Sequence, residues 1–142
     1  MEEFDLVVGV SKALIAVDVI LLIVIVIWIG STITQSIRRK RFAKVLEEDV
    51  FEDGMRKAQV IDLREKTDFD KGHILGARSV PYSMLKQRYV EIRKDLPVYL
   101  YDQGMTLSTR AASTLGKQGY KDISILKNGY ARWSGKTKTK KY

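Results

Sequence analysis

The chain has 142 residues, with no cysteine, a single histidine and a net charge of +8 from 25 Lys and Arg against 17 Asp and Glu. That length bounds it to one ordinary domain plus a small extra element. The composition excludes disulfides, thiolate metal sites, cysteine nucleophiles and multi-histidine metal centres. No metal or cofactor is expected.

The charge is unevenly spread. Residues 1–30 hold Lys12 against Glu2, Glu3, Asp5 and Asp18, a net −3, which leaves +11 on the remainder. From Val19 to Ile29 every residue is apolar, and back to Ala13 only Asp18 interrupts the run. Roughly 20 mostly apolar residues suffice to cross a bilayer as a helix. The β-branched content would suit a strand in water, but a run this long is not a strand, and lipid forces internal hydrogen bonding. A transmembrane helix over 13–33 is therefore expected, after a short acidic segment 1–12. A cleaved signal segment is disfavoured, because the first residues are acidic and no small-x-small site follows Trp28. Asp18 costs about 2.5–3.5 kcal/mol at a membrane centre, so it either sits near the outer headgroups or marks a contact inside the membrane.

Arg38, Arg39, Lys40 and Arg41 follow the apolar run. By the positive-inside rule they place the N-terminus outside and the later residues in the cytoplasm. Residues 34–44 read as a basic juxtamembrane linker. Phe42 to Phe51 carries apolar residues at helical spacing, ended by Gly54.

Gln59 to Leu63 reads as a buried strand, Gly76 to Val80 as a second, and Tyr82 to Arg93 as an amphipathic helix. Pro97 to Tyr101 is a third strand. A loop from Asp102 to Thr106 leads into a helix from about Leu107 to Lys117, ended by Gly119. Ile123 to Leu126 is a fourth strand, and Gly129 to Trp133 a closing turn. This alternation predicts an α/β domain with a mainly parallel sheet. In such sheets function gathers beyond the carboxyl ends of the strands, which makes the loop after Tyr101, at a helix N-terminus, the candidate site. Thr106 and Ser108 are candidate helix caps.

The stretch from Val60 to Pro81 resembles the opening signature of the rhodanese homology domain. Asp62, Arg64, Phe69, Gly72, His73, Ile74, Gly76, Ala77 and Pro81 fall in register. Leu126 to Trp133, with Gly129 and Trp133, resembles that family's closing motif. Ser79 stands for a usual asparagine and Asn128 for a usual glycine. The resemblance spans 45–134. It implies a parallel sheet of about five strands flanked by helices, with Asp62, Arg64, Gly72, His73, Gly76, Gly129 and Trp133 in structural roles. His73 would hold the turn before Ile74, Asp62 and Arg64 would form a buried polar pair, and Trp133 would lie in the core.

The resemblance also implies what is missing. Sulfurtransferases of the family start this loop with a cysteine that carries a persulfide, and an arginine five positions later helps bind the anionic donor. Here those positions fall on Asp102 and Leu107, within a degenerate loop of Asp102, Gln103, Gly104, Met105, Thr106, Leu107 and Ser108. Related phosphatases of the fold need the same cysteine. A carboxylate cannot carry sulfane sulfur as a thiolate does. An aspartate can attack phosphate, but that needs a metal or cationic clamp which the loop lacks. The carboxylate is instead expected to fill the loop and support the helix start.

The expected function is a membrane-anchored, catalytically inactive rhodanese-like module that binds or scaffolds an unidentified protein at the cytoplasmic membrane face. Two alternatives are sulfane sulfur handling with a partner-supplied cysteine, and sensing of anionic lipid. For the latter, Arg38 to Arg41 and the basic tail 135–142, expected to be disordered, offer about 1 kcal/mol per charge against anionic headgroups. No aromatic interleaving or base-reading motif points to nucleic acid.

Overall fold

The computed structural model describes residues 1–140; the side chains of residues 38–40 also lie outside the described residues. The chain divides into two compact units, residues 1–36 and residues 37 onward.

The first unit is helical. Helix α1 spans Glu2–Phe42, and its Glu2–Ile37 portion is long and apolar enough to cross a membrane by length and composition. None of its most apolar window is buried against protein. The Thr32 and Thr34 hydroxyls donate to the Trp28 and Gly30 carbonyls, so these polar groups are satisfied within the helix. The helix continues through most of the expected linker 34–44. No Gly or Pro between Ile33 and Phe42 is present to stop it.

The second unit contains, in order, β1 (Lys44–Leu46), α2 (Glu48–Gly54), β2 (Gln59–Asp62), α3 (Lys66–Lys71), β3 (His73–Ile74), β4 (Arg78–Ser79), α4 (Leu85–Arg88), β5 (Val98–Tyr101), α5 (Thr106–Lys117), β6 (Ile123–Leu126) and β7 (Thr137–Lys138). Five strands form one sheet in the order β1-β6-β5-β2-β4, every pair parallel. The remaining two, β3 and β7, form an antiparallel ribbon.

The strands read as near-continuous apolar runs because both faces of the sheet are covered. Along β5, Val98 and Leu100 enter one core cluster, while Tyr101 and the partly buried Tyr99 enter the other. Ile61 and Val60 of β2 divide the same way. Helix α5 lays Ala111, Ala112 and Leu115 against the first cluster, which Phe42 and Ala43 also cover. Phe51, Ile74 and Leu126 build the second.

Three expectations change. The helical spacing at Phe42 to Phe51 conceals β1, a three-residue edge strand in register with Ser124 to Leu126; a strand this short shows no period of its own. The single helix over Tyr82 to Arg93 is instead α4 between 3-10 turns at Tyr82–Met84 and Tyr89–Glu91. Met84 and Arg88, at φ −106° and −110° with ψ 0°, interrupt the α-helical path. Leu85 and Ile92 are buried all the same, since successive tight turns keep nearly the same inward face. The tail also differs: Thr137 and Lys138 pair with Ile74 and His73. The Leu75 N–H donates to the Lys136 carbonyl and the Lys140 N–H to the Asp70 carbonyl. Backbone pairing holds a segment whose side chains are too polar to order it, and Lys141 lies outside the described residues.

Candidate functional site

The loop between β5 and α5 lies at the carboxyl end of a central strand, flanked by β6 and β2. Its first residue, Asp102, is 3% exposed. The carboxylate accepts the Leu107 N–H at 3.2 Å, the Ser108 N–H at 3.3 Å and the Ser108 hydroxyl at 2.5 Å. It therefore caps α5 from five and six residues upstream. The helix N-terminus is a donor-rich, positive dipole end that suits an anion, and here a side chain of the same chain serves it. Thr106 opens the helix and Met105 precedes it without a side-chain cap bond. Ser108 lies in the first turn and donates to Asp102. The cap is thus Asp102, and not Thr106 or Ser108 as their type suggested.

Gln103, Gly104 and Thr106 are exposed, Met105 and Leu107 half-buried. Leu107, at the position where the resemblance calls for a cation, packs against the first core cluster. The far side of the loop is held by the closing motif. The Tyr130 N–H donates to the Asp102 carbonyl and the Ala131 N–H to the Gln103 carbonyl. Gly129 sits at φ 63°, and a Cβ there would come within 2.6 Å of the Asp102 carbonyl oxygen. Tyr130 and Ala131 carried no local signal: their partners lie 28 residues upstream, and only the fold brings them together.

Beside the loop is a buried polar network. Arg64 donates from Nε and from a terminal nitrogen to the Asp62 carboxylate, at 2.8 Å for the shortest contact, and to the Gly72 carbonyl at 2.7 Å. Asp62 is wholly buried and Arg64 nearly so. Burial works against the Arg64 charge, but the hydrogen bond and charge of Asp62 outweigh it and raise its pKa above the ordinary arginine value. The guanidinium lies 4.1 Å from the Tyr130 ring centre, a cation–π contact that ties the opening signature to the closing motif. Tyr101 faces Asp62, and its hydroxyl accepts the Ile74 N–H at 3.1 Å. Burial first, and then the Asp62 charge, push the Tyr101 hydroxyl far above the usual tyrosine range.

His73 is buried, stacked on Phe69 with ring centres 3.7 Å apart, and its Nδ1 pairs with the Phe69 carbonyl at 2.8 Å. It holds the turn from α3 into β3. Gly76 turns the chain between β3 and β4 at φ 91°. Trp133 is half-buried and packs against the second core cluster from its edge: it stands edge-on to Phe51 at 6.3 Å, and its indole N–H donates to the Lys136 carbonyl. Arg41 is exposed, its guanidinium 5.2 Å from the Phe42 ring. The side chains of Arg38, Arg39 and Lys40 lie outside the described residues. Among the described residues no group of His, Asp and Glu is placed to hold a metal ion.

The Rhodanese-like domain family matches residues 43–136. The uncharacterized protein YqhL of Bacillus subtilis is 49% identical over 124 residues, which cover 87% of this chain and 98% of YqhL. A second Bacillus subtilis protein, YrkF, whose name proposes a sulfur carrier, is 31% identical over 78 residues, 55% of this chain and 42% of YrkF. The crystal structure of a rhodanese-related protein from Thermoplasma volcanium superposes with a TM-score of 0.64 at 17% identity, over 68% of this chain and 99% of that one, a likeness of fold. The opening signature, the closing motif bonded to the loop, the five-stranded parallel sheet and the family match agree: the chain belongs to the rhodanese-like domain family, and it contains no cysteine.

Proposed function

We propose that this protein is a membrane-anchored, catalytically inactive rhodanese-like module that binds or scaffolds a protein partner at the cytoplasmic membrane face. The observation that carries the reading is the self-occupied loop. The Asp102 carboxylate takes the donors at the start of α5, where an anionic sulfur donor or persulfide would need them. A carboxylate there repels a second anion and supplies no polarisable sulfur. The apolar Glu2–Ile37 helix supports the anchor, and the basic residues 38–41 support the cytoplasmic orientation of the domain. The family kinship extends to YrkF and its proposed sulfur-carrier role, yet this chain has no cysteine with which to carry sulfur.

The test is sulfur transfer from thiosulfate to cyanide by the full-length chain in lipid nanodiscs. No thiocyanate above the protein-free rate is expected. Turnover by the cysteine-free chain would overturn the reading and return the domain to the enzymes.

A further inference from the structure

We infer that the groove between α2, the β3–β4 turn and Trp133 is the docking site for a short peptide segment of a partner protein: one large apolar side chain flanked by a basic and an acidic residue. The inference deepens the binding-module reading and rests on it.

The cavity measures about 670 Å³ and lies away from the Asp102 loop, since none of its lining residues comes from 102–108. Its apolar surface includes Leu75 and Trp133. Leu75 is 47% exposed although it directly follows the fully buried Ile74. The Trp133 ring is fixed by its N–H bond to the Lys136 carbonyl and by packing on Phe51 and Gly135, and the part of its carbon surface that stays half-exposed lines the groove. Half-exposed Trp beside an exposed Leu is the kind of surface that anchors a partner's apolar side chain.

The rim is charged in both senses. Glu52 and Asp53 close α2, Arg56 follows in the next turn, and Lys136 stands on the wall formed by the β3–β7 ribbon. Glu52 and Arg56 are four residues apart and Asp53 and Arg56 three, spacings that favour helical ion pairs. Neither pair forms, and among the described residues none of these four charges makes a salt bridge. A peptide with a basic residue on one side of its anchor and an acidic residue on the other complements such a rim. A small molecule fits less well: pockets for small ligands bury most of the ligand surface, and this groove is only partly enclosed.

The experiment uses the full-length chain in nanodiscs and fluorescein-labelled pentapeptides Gly-X-Z-X-Gly. The centre Z is Leu or Ala, and the flanks are Lys and Glu, Lys and Lys, or Glu and Glu. Fluorescence anisotropy, with empty nanodiscs as the blank, reads the affinity. The expected result is that the Leu-centred peptide with mixed flanks binds about tenfold more tightly than its Ala-centred form. The double substitution Glu52→Lys with Asp53→Lys changes exposed residues only, and should move the preference to the peptide flanked by two Glu. Leu75→Asp should abolish the difference between Leu and Ala centres. Absence of peptide binding, equal affinity for Leu and Ala, or a flank preference that ignores the charge reversal would each overturn the groove. Sulfur transfer is measured on the same samples. A groove that fails while transfer stays absent leaves the binding-module reading standing, whereas transfer removes that reading itself.

Discussion

Gly129 closes directly over Asp102: a side-chain carbon at Gly129 would stand 2.6 Å from the Asp102 carbonyl oxygen and 2.7 Å from that of Gln103. The next two N–H groups, of Tyr130 and Ala131, donate to those same carbonyls. The glycine thus permits a backbone-to-backbone contact that fastens the loop to the end of the domain. At φ 63° and ψ −161° its conformation is also one that only glycine adopts readily.

Gly129→Ala should therefore lower stability by about 2 kcal/mol or more, combining strain with the clash. Thermal unfolding followed by circular dichroism measures it. The neighbouring Asn128, also at positive φ (63°), is the control. Asn128→Gly relieves a left-handed non-glycine residue and should be neutral to mildly stabilising. Equal melting temperatures for Gly129→Ala and the native chain would refute the close packing.

A chain ending at Gly135 should melt lower than the full chain by about 1–2 kcal/mol, the net worth of a few exposed backbone bonds. It loses the β3–β7 ladder and the bond from Lys140 to Asp70. Hydrogen exchange gives the local reading: the Leu75 amide, bonded to the Lys136 carbonyl, should exchange faster in the truncated chain. An unchanged Leu75 amide would return the tail to disorder.

That tail shows where sequence reading stops. Gln59 to Leu63, Pro97 to Tyr101 and Ile123 to Leu126 are legible because a strand buried on both faces needs an unbroken apolar run. Lys136 to Lys140 has no such run, and its order comes from main-chain bonds to a distant ribbon, which leave no trace in side-chain character. The same holds for β1. In Tyr82 to Arg93 the apolar period agrees with the burial of Leu85 and Ile92, but not with the exposed Met84 nor with the backbone that presents these side chains. At the loop, the lack of any cysteine is legible in the composition, and so is the expectation that the Asp102 carboxylate supports the helix start. That it takes the N–H groups of Leu107 and Ser108 and the Ser108 hydroxyl is visible only with the loop's path in hand.

The Asp62–Arg64–Tyr101 network sets an alkaline limit. In the unfolded chain Tyr101 loses its proton near the ordinary value of 10.0, while in the folded chain burial and Asp62 hold the proton on. Its contribution is therefore complete below pH 10.0 and is lost as the pH rises above it. Tyr120, raised by burial and by Tyr89, acts in the same direction. Chemical denaturation between about pH 9 and pH 11 should show falling stability. Tyr101→Phe should flatten that slope while costing about 1 kcal/mol for the lost bond to the Ile74 N–H. A slope unaffected by Tyr101→Phe would assign the effect elsewhere.

Orientation is testable without any ligand. With the basic residues 38–41 on the cytoplasmic side, protease added to intact cells should spare the domain, and detergent should expose it. Cleavage within Lys136 to Lys140 on intact cells would place the domain outside.

The loop makes the sharpest chemical prediction. Asp102 occupies the helix start with a negative charge, so sulfate should bind the native chain weakly or not at all. Asp102→Ala removes the carboxylate and most of its volume, and the N–H groups of Leu107 and Ser108 then become available to an external anion. Calorimetric titration with sulfate should show binding that appears with Asp102→Ala, and that weakens as salt is raised. Stability should fall at the same time by about 0.5–2 kcal/mol, the usual cost of weakening a helix cap. Asp102→Cys goes one step further, because it supplies a sulfur at the position where the family resemblance implies one. It should still transfer little sulfur from thiosulfate, since Leu107, where the resemblance implies a cation for the donor, packs on the core. Adding Leu107→Arg to Asp102→Cys should raise transfer above the single variant. Strong sulfate binding by the native chain, lost on substitution of Ser108, would show that Asp102 does not fill the site and that an external anion does.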